Sequence, residues 1–153
     1  MILLLPFPRH LLVVHRGVPK LADFGLAARV PAPGKLLEDI SGTLHYLAPE
    51  VLQRRGAGAS DWWSLGLLLL ELAAGRVNRR EVARLRCRQY AWPAYLSDTL
   101  RDLLQGLLNP SPKLRLQKAA DVKRHGFFAG QDWETLPQKA GPYTAPDVLR
   151  RAR

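Results

Sequence analysis

Gly42-Thr43-Leu44-His45-Tyr46-Leu47-Ala48-Pro49-Glu50-Val51-Leu52 is the stretch on which the reading of this chain turns. Asp23-Phe24-Gly25 stands upstream by about the span of one ordered loop, and Ser60-Asp61-Trp62-Trp63-Ser64-Leu65-Gly66 follows closely. Each string is weak by itself; an isolated Asp-Phe-Gly is most often an ordinary turn. Their shared order and spacing carry the information. Between the first two, Ala28 to Gly42 holds Pro31, Pro33, Gly34 and mixed charge without periodicity, which predicts a loop. Asp61 to Ala74 is apolar on nearly every face, so it is expected to be a helix buried inside a larger domain. Ser60 or Asp61 can cap its first N–H groups, and Gly75 can end it.

Working outward, Leu11 to Val14 is apolar and β-branched. His15-Arg16-Gly17 is a turn signal, and Val18 to Phe24 completes a short hairpin. Arg79 to Arg88 is expected to be a short basic helix. The clearest amphipathic pattern is Leu96, Leu100, Leu103, Leu104, Leu107 and Leu108, with Ser97 at the N-cap and Asn109-Pro110 as the stop. Another short helix near Lys118 to Arg124 leads into His125-Gly126-Phe127-Phe128, and the chain turns loop-like after Trp133. The count is one hairpin and four or five helices, mainly α, in one domain without repeats.

A chain of 153 residues, 47% apolar, has enough material for one core. A single cysteine, Cys87, excludes an internal disulfide framework and fits a reducing compartment. Met1-Ile2-Leu3-Leu4-Leu5 lacks a basic flank and is broken by Pro6 and Pro8, unlike a signal peptide. The longest apolar stretch, Trp62 to Leu70, is too short to span a bilayer, so the expectation is an intracellular protein, cytoplasmic or nuclear. The formal net charge is +10, and six arginines fall between Arg76 and Arg88. They read either as a solvated helix face or as a surface for an acidic partner or anionic surface. No aromatic platform is interleaved with them, which argues against specific nucleic-acid readout.

The strings at 23–25, 42–52 and 60–66 resemble the activation segment and following helix of a eukaryotic protein kinase. Leu103-Leu104 to Arg115-Leu116, His125-Gly126-Phe127-Phe128 and Asp132-Trp133 are similar to the AGC group of serine/threonine kinases. Gly42-Thr43-Leu44 followed by Tyr46 is similar to its ribosomal-protein-kinase-related branch. The resemblance implies a kinase C-lobe over residues 1–146, with its activation segment at 23–50, the smaller N-lobe absent, and a basic tail at 147–153. It implies ATP-dependent phosphorylation of proteins as the parent function, with magnesium and ATP as cofactors and a protein substrate or scaffold as partner. Asp23 matches the magnesium ligand of the family, with Phe24 and Gly25 completing the nucleotide-side turn. Glu50 matches a glutamate that pairs with a distant arginine, here Arg115, to hold the activation segment down. Asp61 matches an aspartate bonded to the catalytic loop, or is a plain N-cap. Thr43 matches a threonine lining the site for the residue after the phosphoacceptor, or is a plain loop threonine. Asp39 stands where the group carries a phosphorylated threonine, as a partial mimic or by chance.

The pattern also breaks. Counted back from Asp23, the family's catalytic loop falls on Leu3-Leu4-Leu5-Pro6-Phe7-Pro8-Arg9-His10, where only Pro8 matches. The catalytic aspartate position is Leu5, which cannot accept a hydroxyl proton, and the phosphate-binding lysine position is Phe7. The metal-binding asparagine position is His10, so none of that loop's catalytic residues is retained. No Gly-rich loop precedes, leaving ATP a floor without a roof. The Pro-Phe segment after the buried helix is replaced by a direct run from Gly75 into Arg76. The expectations are therefore a kinase domain inactive by itself, a non-catalytic kinase-like interaction module, or a basic polyanion-binding domain.

Overall fold

A computed structural model describes residues 2–3, 11–13, 19–22, 24, 27–28, 44–54 and 58–136. Its secondary structure is mainly helical. Two small antiparallel ladders lie at the N-terminal end. One is the expected hairpin, β2 (Leu11–Val13) on β3 (Pro19–Leu21), in the register Leu11 to Leu21 and Val13 to Pro19. The other joins β1 (Ile2–Leu3) to β4 (Ala27–Ala28) and was not expected. Two-residue strands paired across some 25 positions leave no alternation for a sequence reading to find.

Helix α1 (Pro49–Leu52) is one turn started by a proline, whose fixed φ suits a first helical position. Helix α2 (Ser60–Ala74) is the centre of the molecule, burying Trp63, Leu67, Leu68 and Leu70. Gly75 ends it at φ 84°, a left-handed backbone that glycine enters without a Cβ penalty. The N-terminal cap differs from expectation. Ala59 holds the cap position, and Ser60 and Asp61 are already inside the first turn. The Arg115 guanidinium takes the Ala59 carbonyl at 2.8 Å, which ties that residue into the packed body, so the helix starts one position earlier than side-chain capping suggested.

Helix α3 (Arg79–Arg86) opens on a capping box. The Asn78 side chain accepts from the Arg80 and Glu81 N–H groups, and Glu81 accepts from the Asn78 N–H. It buries Val82 and Leu85. Helix α4 (Asp98–Leu107) is capped by Ser97, whose hydroxyl accepts from the Leu100 N–H at 3.3 Å, and it buries Leu103, Leu104 and Leu107. The short helix α5 (Ala119–Lys123) and a 3-10 turn at Gly126–Phe128 complete the described part.

Two apolar clusters share the α2–α4 interface. The larger holds Tyr46, Leu47, Ala48 and Val51 against Trp63, Leu67, Leu70, Val82, Leu85 and Leu104. The smaller holds Leu103, Leu107 and Val122 with Trp62, Leu116 and Phe128 packed on it. Close approach is allowed by two glycines. A Cβ on Gly66 would meet Leu108 Cγ at 2.9 Å, and one on Gly106 would meet Leu116 Cδ1 at 2.6 Å. The 3-10 turn is pinned to α4 by His125, which faces Asp102 at 3.2 Å and accepts the Phe127 N–H on its other ring nitrogen. Among the described residues no helix is long and apolar enough to cross a membrane.

Candidate functional site

The segment Leu44 to Leu52 is held against the helical body by three polar devices that arise from three different elements. The first comes from the loop after α4. Arg115 is 3% exposed and Glu50 5%, and they pair through both forks: Nη1 to Oε1 at 2.6 Å and Nη2 to Oε2 at 2.8 Å. Two more of the guanidinium's donors are used, with Nη1 reaching the Ala59 carbonyl at 2.8 Å and Nε the Asn109 carbonyl at 3.0 Å. The Trp63 ring lies 5.4 Å from its Cζ, a cation–π distance. A buried ion pair repays its desolvation only when geometry and accessory hydrogen bonds are this complete.

The second device is Glu71, the only carboxylate in the last three turns of an otherwise apolar α2. Its Oε2 accepts the Tyr46 hydroxyl at 2.8 Å, and its Oε1 accepts the Val77 N–H at 3.4 Å. His45 Nε2 lies 3.6 Å from Oε1. Burial, reinforced by the Glu71 hydrogen bond, pushes the Tyr46 phenol well above its ordinary value, so it stays a donor across the physiological range. His45 is shifted the other way: burial lowers it from 6.5, and the attraction of Glu71 only partly offsets this. Ser64 adds a hydroxyl bond to the Tyr46 carbonyl at 3.1 Å.

The third is Arg86 on α3. Its Nη2 donates to the carbonyls of Leu44 at 2.8 Å, His45 at 3.3 Å and Leu47 at 2.9 Å. Burial lowers its pKa. The reading of six arginines as one solvated face is therefore corrected in part. Arg86 turns inward, while Arg76, Arg79, Arg80, Arg84 and Arg88 are exposed, Arg88 bonding the Asn109 side chain at 2.7 Å. The signal that finds Arg86 is its position: it lies four residues after Val82 and beside Leu85, on the buried face of α3. The lone Glu71 within an apolar run is the corresponding signal on α2. Cys87, the next residue, is exposed.

Of the residues singled out in the sequence, Glu50 and Arg115 are brought together, and Asp61 sits half-buried in the first turn of α2. Phe24 is half exposed. Asp23, Gly25, Asp39 and Thr43, the Leu5 to His10 stretch and the tail at 147–153 lie outside the described residues, as does the loop expected from Ala28 to Gly42 except for Ala28, which ends β4. Among the described residues no group of three or more histidine, cysteine or acidic side chains could hold a metal ion.

The central helix and the segment pinned to it by the Glu50–Arg115 pair fall within a stretch that matches a known family. The model of the protein kinase domain covers residues 8–128, and the chain belongs to that family. Within it the similarity runs to AGC-group serine/threonine kinases. The chain is 35% identical to human ribosomal protein S6 kinase alpha-2 over 143 residues, covering 86% of this chain and 20% of that protein. It is 38% identical to the RAC family serine/threonine-protein kinase homolog of Dictyostelium discoideum, covering 88% of this chain and 32% of the relative. Ribosomal protein S6 kinase beta of Caenorhabditis elegans matches at 36% over 84% of the chain and 26% of its own length. The chain thus spans between a fifth and a third of the length of these relatives.

Proposed function

We propose that this chain forms the helical, substrate-facing part of a serine/threonine protein kinase domain, residues 1–146, followed by a basic tail at 147–153. The observation that carries the reading is the triple anchoring of Leu44 to Leu52 by Arg115, Glu71 and Arg86. A segment fixed at both ends and in the middle is a preorganised platform, and positioning is most of what a protein contributes to phosphoryl transfer. In this reading Thr43, one residue ahead of the anchored segment, lines the peptide site, and Asp39 stands at the position of the group's phosphorylated threonine. A protein is the partner. Asp61 at the head of α2 has the role that the resemblance gives it, holding the catalytic loop.

The residues fit the metal and nucleotide poorly. Asp23 supplies one carboxylate for magnesium, but the companion position is His10, and imidazole is a weak ligand for a hard cation that prefers oxygen. Leu5 offers no base and Phe7 no positive charge. We therefore derive no transfer step through Asp23, and assign the chain by itself the role of a kinase-like binding module, inactive in isolation.

Mg-ATP thermal shift on the wild type and Asp23→Ala tests this. No stabilisation of either protein, with cooperative melts in both, is the expected result. A shift abolished by Asp23→Ala would reinstate nucleotide chemistry in this chain, and magnesium-dependent phosphorylation of a protein by the purified wild type would overturn the inactive assignment outright.

A further inference from the structure

Beneath the anchored segment lies a cavity of about 280 Å³ lined by Leu44, His45, Arg79, Val82 and Arg86. Its chemistry is one-sided. Arg79, the first residue of α3, is exposed, and so are Arg76 and Arg80 close by in the chain. From Arg76 to Arg88 six arginines stand against a single carboxylate, Glu81. That carboxylate is occupied by the Asn78 N–H, and Glu71 is occupied by Tyr46, Val77 and His45. Among the described residues, no acidic side chain lines the cavity. Leu44 and Val82 contribute apolar lining, and Arg79, Arg86 and His45 contribute nitrogen-bearing side chains.

We infer that this cavity receives an acidic side chain, a glutamate or aspartate, of a peptide lying along residues 44–47. The methylenes of such a side chain would pack on Leu44 and Val82 while its carboxylate meets Arg79. Arg86 spends Nη2 on three backbone carbonyls and so holds the wall, while its buried Nε has no protein acceptor among the described residues and adds to the positive field there. If the peptide is a substrate, its acceptor hydroxyl is flanked by acidic residues. That last step rests on the kinase reading of residues 44–47; the basic pocket itself does not.

The test is fluorescence anisotropy on the full chain with a labelled short peptide carrying a central serine flanked by Asp and Glu. The comparison peptide has Lys and Arg in place of those residues. The acidic peptide is expected to bind and the basic one not. Arg79→Glu should weaken binding roughly tenfold, the scale of one lost charge contact. It should leave the fold intact, because a carboxylate suits the first position of a helix. Lys113→Glu, an equal change in net charge at an exposed site, should have little effect.

Equal loss in Arg79→Glu and Lys113→Glu would mean that overall charge binds the peptide, and would overturn the inference. So would absent binding, or preference for the basic peptide. Single-stranded RNA competing as well as the acidic peptide, with the same dependence on Arg79, would assign the pocket to nucleic acid instead. All these readouts are made without nucleotide, so they are separate from any result on ATP or catalysis.

Discussion

Arg115 is the residue on which most depends. Replacing it with alanine leaves Glu50 charged and buried and frees the carbonyls of Ala59 and Asn109, so the cost is expected near 3–5 kcal/mol. At the usual conversion for a domain of this size, that is a fall in Tm on the order of 10 °C. Thermal denaturation followed by circular dichroism measures it, and a change under one degree would remove the pair from any structural role. Arg115→Lys should recover little, because an ammonium cannot make the two-pronged contact.

His45 sets a different expectation. Its folded pKa lies below 6.5, so below that pH the unfolded chain binds a proton that the folded chain resists. Stability should be flat above about pH 7 and decline as the pH falls below 6.5 toward the folded value. Glu71 and Arg86 both face the ring, one favouring and one opposing its charge. His45→Gln should flatten this acid limb in melts taken across the range. An unchanged limb would assign the loss to other groups. Tyr46 acts at the opposite end: its raised value means stability is full below about pH 10 and is lost above it, and Tyr46→Phe should blunt that alkaline loss.

At the scale of elements, the contrast between what the sequence showed and what it hid is physical. Helix α4 was legible because its leucines repeat every three or four positions and Ser97 and Asn109-Pro110 bracket them. The β2–β3 hairpin was legible from its turn. Helix α1 was missed because four residues are too few for a period, and the Ala59 cap was missed because a distant arginine dictates it. Glu50 and Arg115, 65 positions apart, came only from resemblance; nothing local links them. Arg86 hid among neighbours of the same type, since a run of charges looks solvated unless each is placed on its helix face.

The α2–α4 contact also yields an expectation. Alanine favours a helix over glycine by about 1 kcal/mol, yet a Cβ at Gly106 would come within 2.6 Å of Leu116. Gly106→Ala should therefore destabilise by roughly 1–3 kcal/mol, the usual cost of overpacking. A gain in stability would show that Leu116 repacks freely.

Across the whole molecule, the charge of +10 works against compactness. The exposed pairs Arg101 with Asp98 and Arg124 with Asp121 are too solvated to offset it, and the buried Glu50–Arg115 pair is little affected by ions. Moderate salt should accordingly raise the Tm by screening self-repulsion. A fall with salt would mean that surface pairing dominates over net charge. The same screening should weaken binding of an acidic peptide, so stability and binding are expected to move in opposite directions along one salt titration.

The position of Cys87 makes the anchored platform directly observable. It is the only thiol in the chain, it is exposed, and it follows Arg86 immediately. A nitroxide or fluorophore attached there needs no other cysteine removed, and it reports from the end of the helix whose guanidinium grips Leu44, His45 and Leu47. The molecule thus carries its own labelling handle one residue from its clamp. Loosening of the segment, by mutation or by a docked partner, can then be read as probe motion in real time.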